Sequence, residues 1–446
     1  MVTRSFPAFY LLSKYRLRNW TTEDIRRHQE KRRAGIVRYA IAHSPFFKQH
    51  YQGFDPDDFF ALPTVDKNLM MENLSTYNTL GFKKDDLIRF ALQVEENRDF
   101  SSRFHGINIG MSSGTSGNKG IIITTPREER YLKAMYASRL VLPKGEKLNG
   151  AFILRVNTPA FKYKRFGNKL TYVSQLQTME QLLQQIADIN PNVISAPPSM
   201  LQLLAGEKEK GHLDVHPKIL YSYAEVLDPK VKSHLVKVFG CPVHEVYQGS
   251  EGTYAMTCRE GHLHINEDIV FLELLDDSGQ PVPVGEPCRH LLVTDLYKRS
   301  QPVIRYAIND ILTIDPGQCA CGSHFRMIGR IQGRADELMW GLRKFTHVRH
   351  FIYQDYISRA IISASEDIDD YQAIQESYSQ IRIRLKLKSN VNQTEIIRLI
   401  QKEIWDIFDS YDCILPEVIV ETGDLLFNTN SGKLSRIICH ISDENI

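Results

Sequence analysis

Apolar and polar positions keep three different rhythms along this chain of 446 residues. Near the start, Thr21-Thr22-Glu23-Asp24 sets a hydroxyl cap and two acids ahead of a stretch in which Ala34, Val37 and Ile41 fall on one face. That pattern predicts an amphipathic helix, ended by Ser44-Pro45. From about Gly150 short apolar runs recur at Ala151 to Val156, Val193 to Ser195, Ile219 to Ser222 and Val243 to Tyr247. Between them lie helical stretches at Met179 to Ile189, Ser199 to Ala205 and Lys230 to Phe239, the last stopped by Gly240. Strands alternating with helices predict an α/β fold with mostly parallel sheets covered by helices. Beyond Gly252 the rhythm changes: Ile269 to Leu275, a turn at Asp276 to Gly279, and Leu291 to Thr294 read as an antiparallel subdomain. In the tail, Ile381, Ile383, Leu385 and Leu387 alternate with Arg382, Arg384, Lys386 and Lys388, a half-buried strand with one basic face. Thr394 is expected to cap a helix carrying Ile397, Ile400, Ile404 and Ile407, and Val418 to Val420 supplies another strand. A small α+β unit after Ile331 follows from these.

Composition narrows the function more than the fold. An apolar fraction of 42% and a charged fraction of 24% are those of an ordinary globular protein. A net charge of +2 supplies no global attraction for nucleic acid. The basic cluster from Arg26 to Arg33 lacks interleaved aromatics and reads as a solvated helix face. No apolar run is long enough to span a membrane, and Phe6 to Leu12 is broken by Pro7 without a small-residue cleavage site, so no signal peptide is expected. Seven cysteines, a low and odd count, fit a reducing compartment, with the cytoplasm as the expectation.

The most polar glycine-bearing loop runs from Met111 to Thr125. Ser112, Ser113, Gly114, Thr115, Ser116 and Gly117 precede Lys119 and the β-branched run Ile121 to Ile123, which predicts a buried strand. Small residues let backbone N–H groups face a ligand, and hydroxyls add donors, a composition suited to phosphate oxygens and equally to a surface turn. A strand follows where a Walker loop would open a helix. Elsewhere, Cys319-Ala320-Cys321 joins Cys258 and His264, with His262 as rival, in a set of thiols and imidazole that suits structural zinc; a plain turn at Pro316-Gly317 is the alternative.

Four further segments give the loop its context: His244 to Gly252, which holds Tyr247, Gln248, Gly249, Ser250 and Glu251; Arg305 to Asp310; Gly333-Arg334-Ala335-Asp336; and Asn428 to Leu434, which holds Lys433. In this order they resemble the acyl-adenylate-forming superfamily of acyl-coenzyme A synthetases, nonribosomal adenylation domains and luciferases. Gln29 to Leu74, with His43 to Phe47 and Leu62-Pro63-Thr64, looks like the N-terminal region of phenylacetate:coenzyme A ligases and of the synthetase that adenylylates a deazaflavin coenzyme. The resemblance implies an adenylate-forming domain over residues 1–333 and a small lid domain over 334–446 with its hinge near Asp336. It implies that Ser112 to Gly117 and Lys119 handle ATP phosphates, Tyr247 stacks on adenine, Glu251 holds Mg²⁺, Asp310 binds ribose, Arg334 contacts ribose or phosphate, and Lys433 bridges carboxylate and α-phosphate. Glu225 stands where the family has Gly-Gly-Glu, with Tyr223-Ala224 replacing the glycines, and no proline follows Lys119. The acid is expected near Phe152 to Tyr172, Ser195 to Met200 and Tyr221 to Glu225, beside the basic loop Lys162, Lys164, Arg165 and Lys169. Coenzyme A is the expected acyl acceptor for a small, aromatic or other carboxylic acid; an amine, carrier-protein thiol or hydroxyl is the alternative, and a non-catalytic nucleotide-binding homologue or a homodimer stays open.

Overall fold

The computed structural model describes residues 5–441 except 98, 100, 112–119, 144, 155–162, 166, 175–176, 335–338, 353–355, 358–359, 362–363, 366, 389–390, 427–433 and 435. Two compact units emerge. One takes the described residues of Met1–Ser112, Gly120–Ile308 and Thr313–Arg330, the other those of Asn309–Leu312 and Ile331–Ile446.

The ten-stranded sheet is parallel at its centre. Asn168–Ser174, Asn149–Leu154, Val193–Ala196, Ile219–Tyr223 and Val243–Gln248 lie side by side in that spatial order, all pointing the same way. Their apolar runs have no alternation because both faces are buried, Val193–Ala196 and Ile219–Tyr223 at every position. Leu182 and Ile186 from the helix Met179–Ile189, Leu201 and Leu204 from Pro198–Glu209, and Leu235 from Pro229–Phe239 bury against Ile153, Ile194 and Leu220. Each such side chain contributes about 1.5–3 kcal/mol by leaving water. The helix Pro229–Phe239 starts where the Asp228 carboxylate accepts the Lys230 N–H at 2.7 Å and ends at Gly240, whose φ of +65° suits glycine. Antiparallel strands flank the centre, Tyr163–Arg165 on one edge and Thr253–Thr257, Leu263–Ile265 and Met327–Arg334 in succession on the other, where Asp310–Asp315 comes last. A separate antiparallel sheet joins Val270–Leu275, His290–Asp295 and Tyr306–Ile308. Ile121–Thr124 pairs antiparallel with Asn108–Met111; Ile121 and Ile123 are buried and Ile122 is half-buried.

Two expected details shift. The helix Thr22–His43 has the foreseen capping box between Thr21 and Asp24, but buries Ile25, Gln29, Arg33, Ile36, Val37 and Ala40, with Ala34 and Ile41 on the flanks. Arg33 is therefore not part of a solvated face. Its guanidinium lies 4.1 Å from the Phe271 ring centre and within 4.9 Å of those of Phe59 and Phe60. Arg26 behaves as expected of a solvated face, paired with Glu23 and Glu30.

In the second unit, Ile368–Ser377, Gln380–Leu387, Glu417–Thr422 and Ile437–Cys439 form a four-stranded sheet. Ile381, Ile383 and Leu385 turn inward onto Ile396, Ile400, Ile404 and Phe408 of the helix Gln393–Ser410. Asn392 rather than Thr394 caps that helix, its side chain accepting the Glu395 N–H at 3.3 Å. The two arginines of the basic strand face are paired: Arg382 with Glu376 at 2.7 Å and Glu421 at 3.2 Å, and Arg384 with Glu421 at 2.8 Å.

Candidate active site and metal centre

Neighbouring parallel strands leave the sheet on the same side, which is where ligands bind in open α/β sheets. Ile219–Tyr223 and Val243–Gln248 are such neighbours, with Tyr223 opposite Val246. Glu225 follows the first strand, exposed. Gly249 to Gly252 follow the second. The turn closes with the Gly249 N–H on the Gly252 carbonyl at 2.9 Å, and the chain returns as Thr253–Thr257. A Cβ at Gly249 would lie 2.8 Å from the Tyr254 hydroxyl and 2.9 Å from Glu251 Oε2, so any other residue would have to displace them. Tyr247, 8% exposed, packs edge-on against Tyr254 at 5.2 Å; Gln248 is half-buried and Ser250 exposed.

Glu251 is fixed from two directions. Its Oε1 accepts the Tyr306 hydroxyl at 3.2 Å, and its carbonyl oxygen lies 3.5 Å from the Lys298 ammonium. Burial, and secondly the Glu251 charge, push the Tyr306 phenol up, so it remains a donor at neutral pH. The backbone before it turns at Arg305, a non-glycine residue with φ of +44°. That conformation is held by the Arg305 guanidinium on Glu273 and on the carbonyls of Phe60 and Leu62. Strain of this kind costs on the order of 1–3 kcal/mol and persists where the surroundings over-determine it. Lys298 is buried beside Asp295, whose Oδ1 accepts the Tyr297 and Lys298 N–H groups at 2.8 Å each. Burial lowers the lysine and raises the aspartate. Glu251 Oε2 takes no hydrogen bond among the described residues, and an uncommitted carboxylate oxygen on a half-exposed turn suits a hard divalent cation.

The sequence did not mark Tyr306, Lys298 or Asp295 as neighbours of Glu251. Its one legible signal was a charged pair, Asp295 and Lys298, directly after the apolar strand His290–Asp295. Ser112, Ser113, Gly114, Thr115, Ser116, Gly117 and Lys119, the hinge candidate Asp336 and the near-terminal Lys433 all lie outside the described residues. So does Lys162 of the basic loop. Asp310 opens the strand Asp310–Asp315, and Arg334 closes Met327–Arg334. In the region expected to hold the acid, the Phe152 and Tyr223 rings stack 5.0 Å apart at 6°, and the Tyr223 hydroxyl donates to the Ile153 carbonyl at 2.5 Å.

The thiol and imidazole set converges. One ligand atom each from Cys258, His264, Cys319 and Cys321 falls within 4.8 Å of the others. Cys258 and Cys319 sulfurs are 3.6 Å apart, and Cys321 Sγ lies 3.5 Å from His264 Nε2. Tetrahedral zinc with its usual bond lengths requires about 3.8 Å between sulfurs and about 3.6 Å from sulfur to nitrogen, so the four fit the ion. His264 Nδ1 faces the Phe325 carbonyl at 2.7 Å, which leaves Nε2 as the lone-pair nitrogen toward the sulfurs. His262 is the neighbour rather than the fourth ligand, its Nδ1 3.3 Å from Cys319 Sγ. Burial pushes the Cys258 and Cys321 thiols up, so a cation is what would make them thiolates.

No protein-family model matches the chain. It is 26% identical over 372 residues to the phenylacetate-coenzyme A ligase of Thermus thermophilus, covering 79% of this chain and 78% of that one. It is 24% identical over 344 residues to the enzyme of the same name from Pseudomonas putida, covering 72% of each. Among solved structures, 2-hydroxyisobutyryl-CoA ligase in its postadenylation state, in complex with 2-HIB-AMP, superposes with a TM-score of 0.71 at 17% identity, covering 95% of this chain and 91% of the other. Among the described residues no helix is long and apolar enough to cross a membrane. In sequence the chain is thus similar to phenylacetate-coenzyme A ligases, and in fold to a solved acyl-CoA ligase.

Proposed function

We propose that the chain activates a carboxylic acid with ATP and passes the acyl group to a thiol, with coenzyme A as acceptor. The carboxylate oxygen attacks the α-phosphorus, the bond to the bridging oxygen breaks, and pyrophosphate leaves with its electron pair. The acceptor sulfur then attacks the acyl carbon, losing its proton, and AMP leaves. The observation that carries this reading is Glu251, held beyond the end of a central parallel strand by Tyr306, four residues past Tyr247. Glu251 would hold Mg²⁺, which offsets the charge of the triphosphate while an anion approaches. Tyr247 would face the adenine, Ser112 to Gly117 and Lys119 the β- and γ-phosphates, Asp310 the ribose, and Arg334 ribose or phosphate. Lys433 would bridge the incoming carboxylate and the α-phosphate, with residues 334–446 turning as a lid at Asp336 between the two steps. Cys258, His264, Cys319 and Cys321 would hold a structural zinc, which has no open position for substrate.

Acid-dependent pyrophosphate exchange across a panel of aromatic and small carboxylic acids tests the first step. Activity with at least one acid, abolished by Lys433→Ala, is the expected result; silence across the panel, or a Lys433→Ala enzyme indistinguishable from the parent, overturns it. The second step has a rival. Arg382 and Arg384 are already paired with Glu376 and Glu421, which leaves the basic strand less charge for coenzyme A phosphates. Transfer to an amine, a carrier-protein thiol or a hydroxyl is the second reading, and thioester formation with and without coenzyme A separates the two.

A further inference from the structure

The helices Phe6–Asn19, Thr22–His43 and Pro126–Arg139, with the segment from Asp295 to Ser300, enclose a cavity of about 770 Å³ that acid activation leaves unused. Its size is that of pockets holding a small organic ligand. Its lining sets five cations, Lys31, Arg32, Arg127, Lys298 and Arg299, against the carboxylates of Glu128 and Asp295. Those two acids are committed to the protein. Glu128 accepts the N–H groups of Arg299 at 2.7 Å, Ser300 at 2.9 Å and Thr125 at 2.8 Å, and Asp295 accepts those of Tyr297 and Lys298. Burial alone would raise Glu128, but the Ser300 and Thr125 donors outweigh it and hold the group low.

The cations are not committed in the same way. Among the described residues, Lys31, Arg32, Arg127 and Arg299 have no carboxylate within ion-pair distance. Arg32 lies 4.3 Å over the Tyr297 ring and Arg299 lies 4.5 Å over the Tyr39 ring, so flat aromatic faces and positive charge share the wall. Tyr131, which also lines the cavity, stacks on Tyr297 at 4.4 Å and is 6% exposed.

We infer that this cavity is a second binding site, for a small phosphorylated ligand that carries a planar ring. The cations meet the phosphate, and the guanidinium planes that lie over Tyr297 and Tyr39 meet the ring.

Titration calorimetry on the full chain with phenyl phosphate, and with inorganic phosphate and phenol as its two halves, tests the site without ATP, so failure of acid activation leaves the test standing. Phenyl phosphate is expected to bind more tightly than either half and to weaken as salt rises. Arg127→Glu is expected to reduce affinity at least tenfold; this exposed position lies in the first turn of its helix, where an acid suits the macrodipole, so the fold is kept. Glu251→Gln is expected to leave the affinity unchanged. The absence of measurable binding at millimolar phenyl phosphate would overturn the inference. So would binding that survives Arg127→Glu and disappears in Glu251→Gln, which would move the ligand to the acid-activation site.

Discussion

The Tyr306 hydroxyl donates to Glu251 Oε1 at 3.2 Å, joining two residues 55 positions apart in the chain. One oxygen of the carboxylate is thereby directed, and the other takes no hydrogen bond among the described residues. Tyr306→Phe removes the donor while keeping the ring. A hydrogen bond to a charged group contributes about 1.5–3 kcal/mol, so kcat for pyrophosphate exchange is expected to fall by about 10- to 100-fold. Glu251→Gln should cost more, on the order of 10²–10³. A Tyr306→Phe enzyme with unchanged kcat would show that the hydroxyl does not direct the carboxylate.

For the cysteine and histidine cluster, elemental analysis of the purified chain is expected to find stoichiometric zinc. Cys319→Ala and strong chelators should both release it and lower Tm by several degrees, since the ion would tie Cys258 and His264 to Cys319 and Cys321. A chelator that strips the metal without moving Tm would remove the structural role.

How much of this was legible in the sequence follows from the range of the interactions involved. The alternation from Ile381 to Leu387 is local, and the strand buries the residues it should. The helix ending at Gly240 and the hairpin around Asp276 to Gly279 are equally local, and the strand and helix order gave the fold class. Asn392 was missed as a cap because Thr394, two residues on, offers the same chemistry within one turn. Arg33 was missed because its partners Phe59, Phe60 and Phe271 come from two distant segments. The Tyr306 contact and the cationic cavity are tertiary in the same sense. No spacing rule reports that residues near 30, 130 and 300 line one space.

Asp268 is fully buried, paired with Arg139 and 3.8 Å from Arg16. It holds the helices Phe6–Asn19 and Pro126–Arg139 against the segment before Val270. Removing one partner strands a buried charge, so Asp268→Ala is expected to destabilise the fold by about 3–5 kcal/mol in urea titrations. Pairing Asp268→Leu with Arg139→Met should recover much of that loss. If the double variant proves no more stable than the single, the loss comes from packing.

Two histidines set an acid limit. His28 is pushed down to about 4 by burial and then by Arg16, and His244 to about 4 by burial and then by Lys232. Both folded values lie below the ordinary histidine value, so the unfolded chain binds the extra protons. Stability from neutral His28 and His244 is complete above about pH 6.5 and is lost as pH falls from there toward 4. Tm measured across that window should drop, and His28→Gln should flatten part of the drop. A His28→Gln profile parallel to the parent would exclude His28 as a source.

Ala224, directly after the strand Ile219–Tyr223, adopts φ of +66°, the left-handed conformation that glycine takes freely. An alanine holds a bend that glycine takes freely, while Tyr223 lays its ring on Phe152. Residue 223 can therefore be varied to change what meets Phe152 while the chain still leaves the strand through the same bend.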